Sequence, residues 1–347
     1  MSRANSAVSR VIAITSLIIA AEAIFTLPYH VARFFRPTLL SVLGLDNMQL
    51  GLVQSSYGIV AMLAYFPGGP LADLFSARKL LTVSLVTTAA GGFYFATLPS
   101  FDGLWILFGF WGLTTILLFW AALIRATREW GEPSRQGRAY GLLDAGRGLL
   151  AAAMASVAVL VFALFFPANT EALTEQDRIE AIRSVILFYT GMTFSAALLT
   201  WFFVKEPEVV TAGAATPRIS LGCIRDVFAL PGVWLLATII VCAYVGYKGI
   251  DYYSLFAVEV YGMSEVEGAK LSAMGAWIRP VAALGAGLLG DRILSSRATS
   301  LGFGLLILGY GVSAWADVSP ATVWVFFFNL VVTSAAVYGL RGVYFAL

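Results

Sequence analysis

Histidine occurs once in this 347-residue chain, at His30, and cysteine twice, at Cys223 and Cys242. One histidine excludes a His-rich metal site. Two cysteines, one in a basic connecting segment and one deep in an apolar run, build neither a disulfide framework nor a metal centre. Charge is also scarce. Asp, Glu, Lys and Arg make up 12% of the residues, against roughly 25% in soluble domains. The sequence has no Walker loop, no Gly-x-Ser-x-Gly and no metal-ligand spacing. These absences exclude a soluble enzyme, a nucleic-acid binder and a disordered chain. An intramembrane enzyme would need a nucleophile–base or metal constellation, which one His and two separated Cys do not supply. No cofactor and no nucleic-acid partner is expected.

What is present is apolar. Hydrophobic residues make up 59% of the chain, and the mean hydropathy is +0.84. Such a chain is an all-α membrane protein, because only helices and closed barrels satisfy their backbone groups in lipid. Its apolar runs have the ~20-residue length of a membrane helix, not the ~10-residue alternation of barrel strands. Ten candidate spans fall near 11–44, 48–72, 79–98, 104–127, 139–167, 183–204, 231–261, 267–290, 299–316 and 321–343. The first lacks a small-residue cleavage site and reads as a retained span. The segment 205–230, rich in Pro, Gly, Ala and Thr, reads as a cytoplasmic linker. It separates a six-span half, 1–204, from a four-span half, 231–347.

Basic residues orient the chain. With the N-terminus in the cytoplasm, thirteen Lys and Arg lie on that side and three, Arg178, Arg183 and Lys270, on the other. The net charge of +2 carries no message about partners.

A repeat is visible in two short loops. Gly69, Asp73, Arg78 and Lys79 follow the second span, and Gly287, Asp291, Arg292 and Arg297 follow the eighth. The Gly pair and the Asp pair share one offset of 218 residues. Both loops fall on the cytoplasmic side, the mark of two halves in parallel orientation. The pattern resembles the loop signature of the major facilitator superfamily. Gly69, Leu71, Asp73, Arg78 and Lys79 match it; Leu74, Ser76 and Ala77 depart from it. The resemblance implies a bundle of two parallel six-helix repeats, with about ten of twelve helices present here. It also implies that the loop charges latch the two halves in one access state. The same offset carries Val204 to about residue 422, so the chain is expected to stop roughly 75 residues, or two spans, short.

Charges inside spans mark function by default, because burying them is costly. His30 and Arg33 fall roughly 4 and 8 Å from the centre of the first span, and Lys248 roughly 3 Å from that of the seventh. The offset pairs Tyr29 with Tyr247 and His30 with Lys248. In a parallel repeat the first spans of the two halves face one cavity, where cations from both would hold an anion. The arrangement resembles the organophosphate:phosphate antiporter branch of the superfamily. Its Tyr-x-x-x-Arg element is matched by Tyr29 and Arg33, whereas Lys248 stands where that branch has Arg. Lys lacks the bidentate fork, so sulfonates, carboxylates and acidic sugars stay open beside phosphate.

Arg147, Asp251 and Arg279 complete the expected binding set. Lys248 and Asp251, and likewise Asp144 and Arg147, stand at i, i+3 and could instead neutralise each other. Glu22, roughly 18 Å into the first span, and Asp144 are the coupling candidates. For Glu22 the alternative is a structural pair with an intramembrane cation. Arg279 either lines the cavity or pairs with Glu22 or Asp251, and Arg341 reads as an interface anchor. The expected function is secondary active transport of a small organic anion, with H⁺ or a counter-anion as the coupled species. The protein is expected to be a monomer in a bacterial inner membrane. The alternative is a transporter-like membrane sensor of an anionic metabolite.

Overall fold

The computed structural model describes residues 3–131, 136–166, 173–204, 226, 228–282, 285, 295–315, 319 and 322–343. Every regular element among them is helical. Eight helical stretches are long and apolar enough to cross a bilayer: Val8–Phe34, Asn47–Leu74, Phe101–Trp130, Ala139–Ala163, Glu175–Phe203, Pro231–Glu259, Ser296–Trp315 and Val323–Arg341. They fall on eight of the ten expected runs. The third run forms the 19-residue helix Ala77–Phe95. The eighh run contains Glu265–Ala276 and a helical segment at 278–282, beyond which little is described.

The elements are α1 (Arg3–Ala23), α2 (Val31–Phe34), α3 (Arg36–Leu43), α4 (Asn47–Leu74), α5 (Ala77–Phe95), α6 (Phe101–Gly112) and α7 (Ala121–Trp130). They continue with α8 (Gln136–Ala163), α9 (Glu175–Phe203), α10 (Pro231–Gly249), α11 (Tyr253–Glu259), α12 (Glu265–Ala276), α13 (Ser295–Trp315) and α14 (Val323–Val343). Local sequence sets the helix starts. Asp46 with Gln49, and Thr174 with Asp177, form reciprocal capping boxes at α4 and α9. Ser76 caps α5 by accepting from the Lys79 amide. Gly44 ends α3 at φ +62°, a left-handed conformation that glycine adopts without a Cβ penalty.

Two widened helical turns matter for the site. Thr26–His30 is π-helical and contains Pro28, which has no N–H to continue the ladder. The carbonyl of Ala23, at the break, accepts instead from the hydroxyls of Thr26 (2.8 Å) and Thr193 (3.0 Å). The second widened turn, Leu113–Trp120, holds no proline. Its threonines tie it to neighbours: Thr114 to Thr88 and Thr115 to Tyr57, each at 2.7 Å.

The chain divides into two compact units, residues 1–206 with 254–276, and residues 207–253 with 277–347. In the first, α1 packs on α8 and α9, α5 on α9, and α4 on α6, while α12 rests on α8 and α2. Its core includes the fully buried Trp111, Phe95, Phe108, Phe119, Phe162 and Tyr189. In the second, α13 packs on α14 and α14 on α10. The expected linker, 205–230, lies outside the described residues apart from 226 and 228–230.

Candidate functional site

The first span breaks between α1 and the Pro28 turn, and that break sets the position of the charges around it. Glu22 stands on the last turn of α1, 3% exposed, and His30 ends the widened turn, 4% exposed. The His30 Nε2 lies 3.4 Å from one Glu22 carboxylate oxygen. Arg147, on α8 and 9% exposed, brings its Nε to 3.4 Å from the other oxygen. One carboxylate thus bridges two basic groups from two elements. Both widened turns feed this cluster. Phe25, just past the break of α1, and Trp120, at the end of the second widened turn, each place a ring 5.8 Å from the Arg147 guanidinium. Aromatic faces stabilise a desolvated cation there by about 2 kcal/mol.

Tyr189 of α9 closes the cluster. It is fully buried, its ring stands edge-on to His30 at 5.6 Å, and its hydroxyl has no hydrogen-bond partner among the described residues. Arg33 is also buried, and its backbone carbonyl accepts from the Ser254 hydroxyl at 2.9 Å. Tyr29 is half-buried, with its ring 5.1 Å from that of Tyr57.

The structure therefore joins Glu22, His30 and Arg147, which the sequence separates into a coupling candidate and two binding candidates. Glu22 thus faces basic groups on both of its oxygens. Asp144 reaches Arg147 at 3.9 Å, but its side chain is 61% exposed, so the buried Glu22 is the stronger partner. Sequence reasoning passed over Tyr189, Phe25 and Trp120. No local signal distinguishes them from other apolar-run aromatics, because their roles arise from cross-helix packing.

In the second unit Lys248 donates to Asp251, the i, i+3 pairing anticipated as an alternative. Asp251 is 2% exposed, whereas the Lys248 side chain is 44% exposed. Tyr247 is half-buried, ringed by Tyr244 and Tyr338, each 6.2 Å away. Arg341, expected to be an interface anchor, instead lies over Tyr247 at 5.1 Å and Tyr244 at 6.0 Å. Arg279 is half-buried in the helical segment 278–282.

The first repeat loop is held by a residue outside the motif. Arg125 of α7 donates to the carbonyls of Ala72 (2.5 Å) and Phe75 (3.4 Å), satisfying the C-terminal end of α4, and pairs with Glu129 at 2.6 Å. Gly69, Asp73 and Lys79 are exposed, and the Arg78 guanidinium lies 4.9 Å from the Trp201 ring. In the second copy, Gly287, Asp291 and Arg292 lie outside the described residues; Arg297 is exposed near the start of α13.

Residues 11–346 match the Major Facilitator Superfamily. The chain belongs to this superfamily. Its members are transporters rather than enzymes, and the chain is accordingly a multi-pass membrane protein. It is 29% identical over 229 residues to the inner membrane protein YqcE of Escherichia coli (strain K12), covering 65% of this chain and 51% of YqcE. The chain thus spans about half the length of that relative. Over 110 residues it is 28% identical to a probable hexose phosphate transport protein of Chlamydia trachomatis, covering 30% of this chain and 23% of that protein. Among solved structures, a bacterial homologue of the human lysosomal transporter Spinster superposes with a TM-score of 0.72 at 16% identity. That match covers all of this chain and 75% of the other, and it is a likeness of fold.

Proposed function

We propose that this protein is a secondary active transporter of a small organic anion. Its cargo is a phosphorylated, sulfonated or carboxylated sugar or metabolite, moved by alternating access. The observation that carries this reading is the set of basic groups held within membrane spans. His30 and Arg33 are buried in the first span, and Lys248 holds the repeat-equivalent position of His30 in the seventh. The candidate binding residues are Tyr29, His30, Arg33 and Arg147 in the first repeat, and Tyr247, Lys248, Asp251 and Arg279 in the second. The resemblance to a hexose phosphate transport protein supports a sugar-phosphate cargo.

Glu22 is the coupling residue, bridging His30 and Arg147 when ionised. A proton on Glu22 removes its attraction for both, so the ionised carboxylate competes with the anionic cargo for one set of basic groups and protonation favours cargo binding. Asp144 on the exposed side of Arg147 assists. The two loops, Gly69–Lys79 and Gly287–Arg297, act as the conformational latches. The protein works as a monomer with its N-terminus in the cytoplasm; kinship with the inner membrane protein YqcE supports a bacterial inner membrane as its place.

The test is uptake by proteoliposomes. Labelled hexose 6-phosphate, glucuronate and a sugar sulfonate are compared with uncharged glucose, with and without a pH gradient or an internal counter-anion. Saturable uptake of at least one anion, reduced about 100-fold or more by Arg33→Gln, is expected; one lost charge-assisted pair of ~3 kcal/mol is of that size. Anion uptake that survives Arg33→Gln unchanged removes Arg33 from the site. Uptake of glucose in preference to every anion overturns the reading.

A further inference from the structure

Lys248 leaves one chemical requirement unmet. A point charge on a flexible stem attracts an oxyanion but does not fix its orientation, which a guanidinium does through two parallel N–H···O bonds. Lys248 is moreover engaged by the buried Asp251, so the pair contributes little net charge. The second unit supplies a guanidinium close by. Tyr244, Tyr247 and Lys248 stand at i, i+3 and i+4, on one face of α10. Arg341 of α14 comes to that face and lies over both tyrosine rings, 5.1 Å from Tyr247 and 6.0 Å from Tyr244.

The level along the span matters. Tyr244 and Tyr247 stand 13 and 16 residues beyond Pro231, about 20 and 24 Å along the helix. Arg341 is therefore set against the interior stretch of a 29-residue span. The two rings stand at 69° to each other, so they surround the cation from two directions; such cation–π contacts are compatible with N–H donation from the guanidinium to an oxyanion. The surroundings hold the rings in place. Tyr338, one turn before Arg341, packs against Tyr247, and the Tyr310 hydroxyl donates to the Gly246 carbonyl at 2.6 Å. Tyr244, Tyr247, Lys248 and Arg341 all keep part of their surface accessible, as a ligand requires.

We infer that Arg341 is an anion-recognition residue of this protein, and that its guanidinium holds the head group of the cargo while Tyr244 and Tyr247 hold the cation in place. The ligand class is an oxyanion presenting two coplanar oxygens, a phosphate monoester or a carboxylate. This rests on the organic-anion reading and adds to it the residue that gives the second repeat its fork.

The deciding variant is Arg341→Lys, which conserves the charge but removes the fork. Binding of hexose 6-phosphate and of glucuronate to the purified full chain is measured by calorimetry, alongside wild type and Arg341→Ala. Each protein is first checked for monodispersity, and Arg341→Lys alone decides if Arg341→Ala does not fold. A weakening of about tenfold or more in Arg341→Lys supports the inference, since one tenfold step is the scale of a lost directional pair. Wild-type binding that Arg341→Lys leaves within about twofold overturns it while the organic-anion reading stands. Failure of wild type to bind either anion, with glucose bound instead, overturns both.

Discussion

At the residue scale, Glu22 carries the strongest constraint in the molecule. A carboxylate only 3% exposed is tolerated in a membrane helix because His30 and Arg147 meet its two oxygens. Removing one partner strands a charge; removing a pair together does not. Arg147→Leu is therefore expected to destabilise the protein by about 3–5 kcal/mol, lowering its melting temperature in detergent. Glu22→Leu combined with Arg147→Leu recovers much of that loss, because neither buried charge is left behind. Transport fails in both variants if Glu22 couples the cycle. Equal melting temperatures for the single and double variants would show that the pair does not govern stability. Scanning fluorimetry separates these cases, and uptake measured on the same preparations separates a role in holding the fold from a role in coupling.

At the element scale, the first span is not a plain helix, and its break rests on threonine. The Ala23 carbonyl accepts from both Thr26 and Thr193. Either hydroxyl alone keeps it satisfied, so Thr193→Val should cost only about 0.6 kcal/mol, the scale of an interhelical hydrogen bond in lipid. Thr26→Val with Thr193→Val leaves a buried acceptor unmet and should exceed the sum of the singles, approaching about 1–3 kcal/mol. Additive melting shifts would indicate that water or another donor serves the carbonyl. This region also shows how far sequence reasoning reaches. The apolar runs, the loop repeat and the in-span charges were legible because hydropathy, spacing and charge are local properties. The first break, at the turn that contains Pro28, emerges only from the structure. The second widened turn, Leu113–Trp120, has no proline to announce it. The joining of Glu22 to Arg147, and of Arg341 to Tyr247, depends on which helices pack together, information spread across more than a hundred residues in the first case and about ninety in the second.

At the scale of the whole molecule, residues 254–276 group with 1–206 and not with the stretches 207–253 and 277–347 that flank them in sequence. The segment is attached at its start and at its middle. Ser254 donates to the Arg33 carbonyl at 2.9 Å, and Glu265 takes Arg178 on one oxygen at 2.6 Å and the buried Thr38 hydroxyl on the other. By the topology read from the basic residues, Thr38, Arg178 and Glu265 lie on the side opposite the N-terminus. A carboxylate with both oxygens engaged by elements of the first unit is a clasp that ties the segment to α3 and α9. Glu265→Gln removes the charge-assisted pair, worth about 1.5–3 kcal/mol, and should speed hydrogen exchange across 254–276 by roughly ten- to a hundredfold. The rest of the first unit should exchange as before. Arg178→Glu should act alike, and combining it with Glu265→Arg should slow exchange again, since the swap restores opposite charges at the same place. Exchange across 254–276 that is indifferent to Glu265→Gln would mean that apolar packing of α12 on α8 and α2, not the ion pair, holds the segment in place.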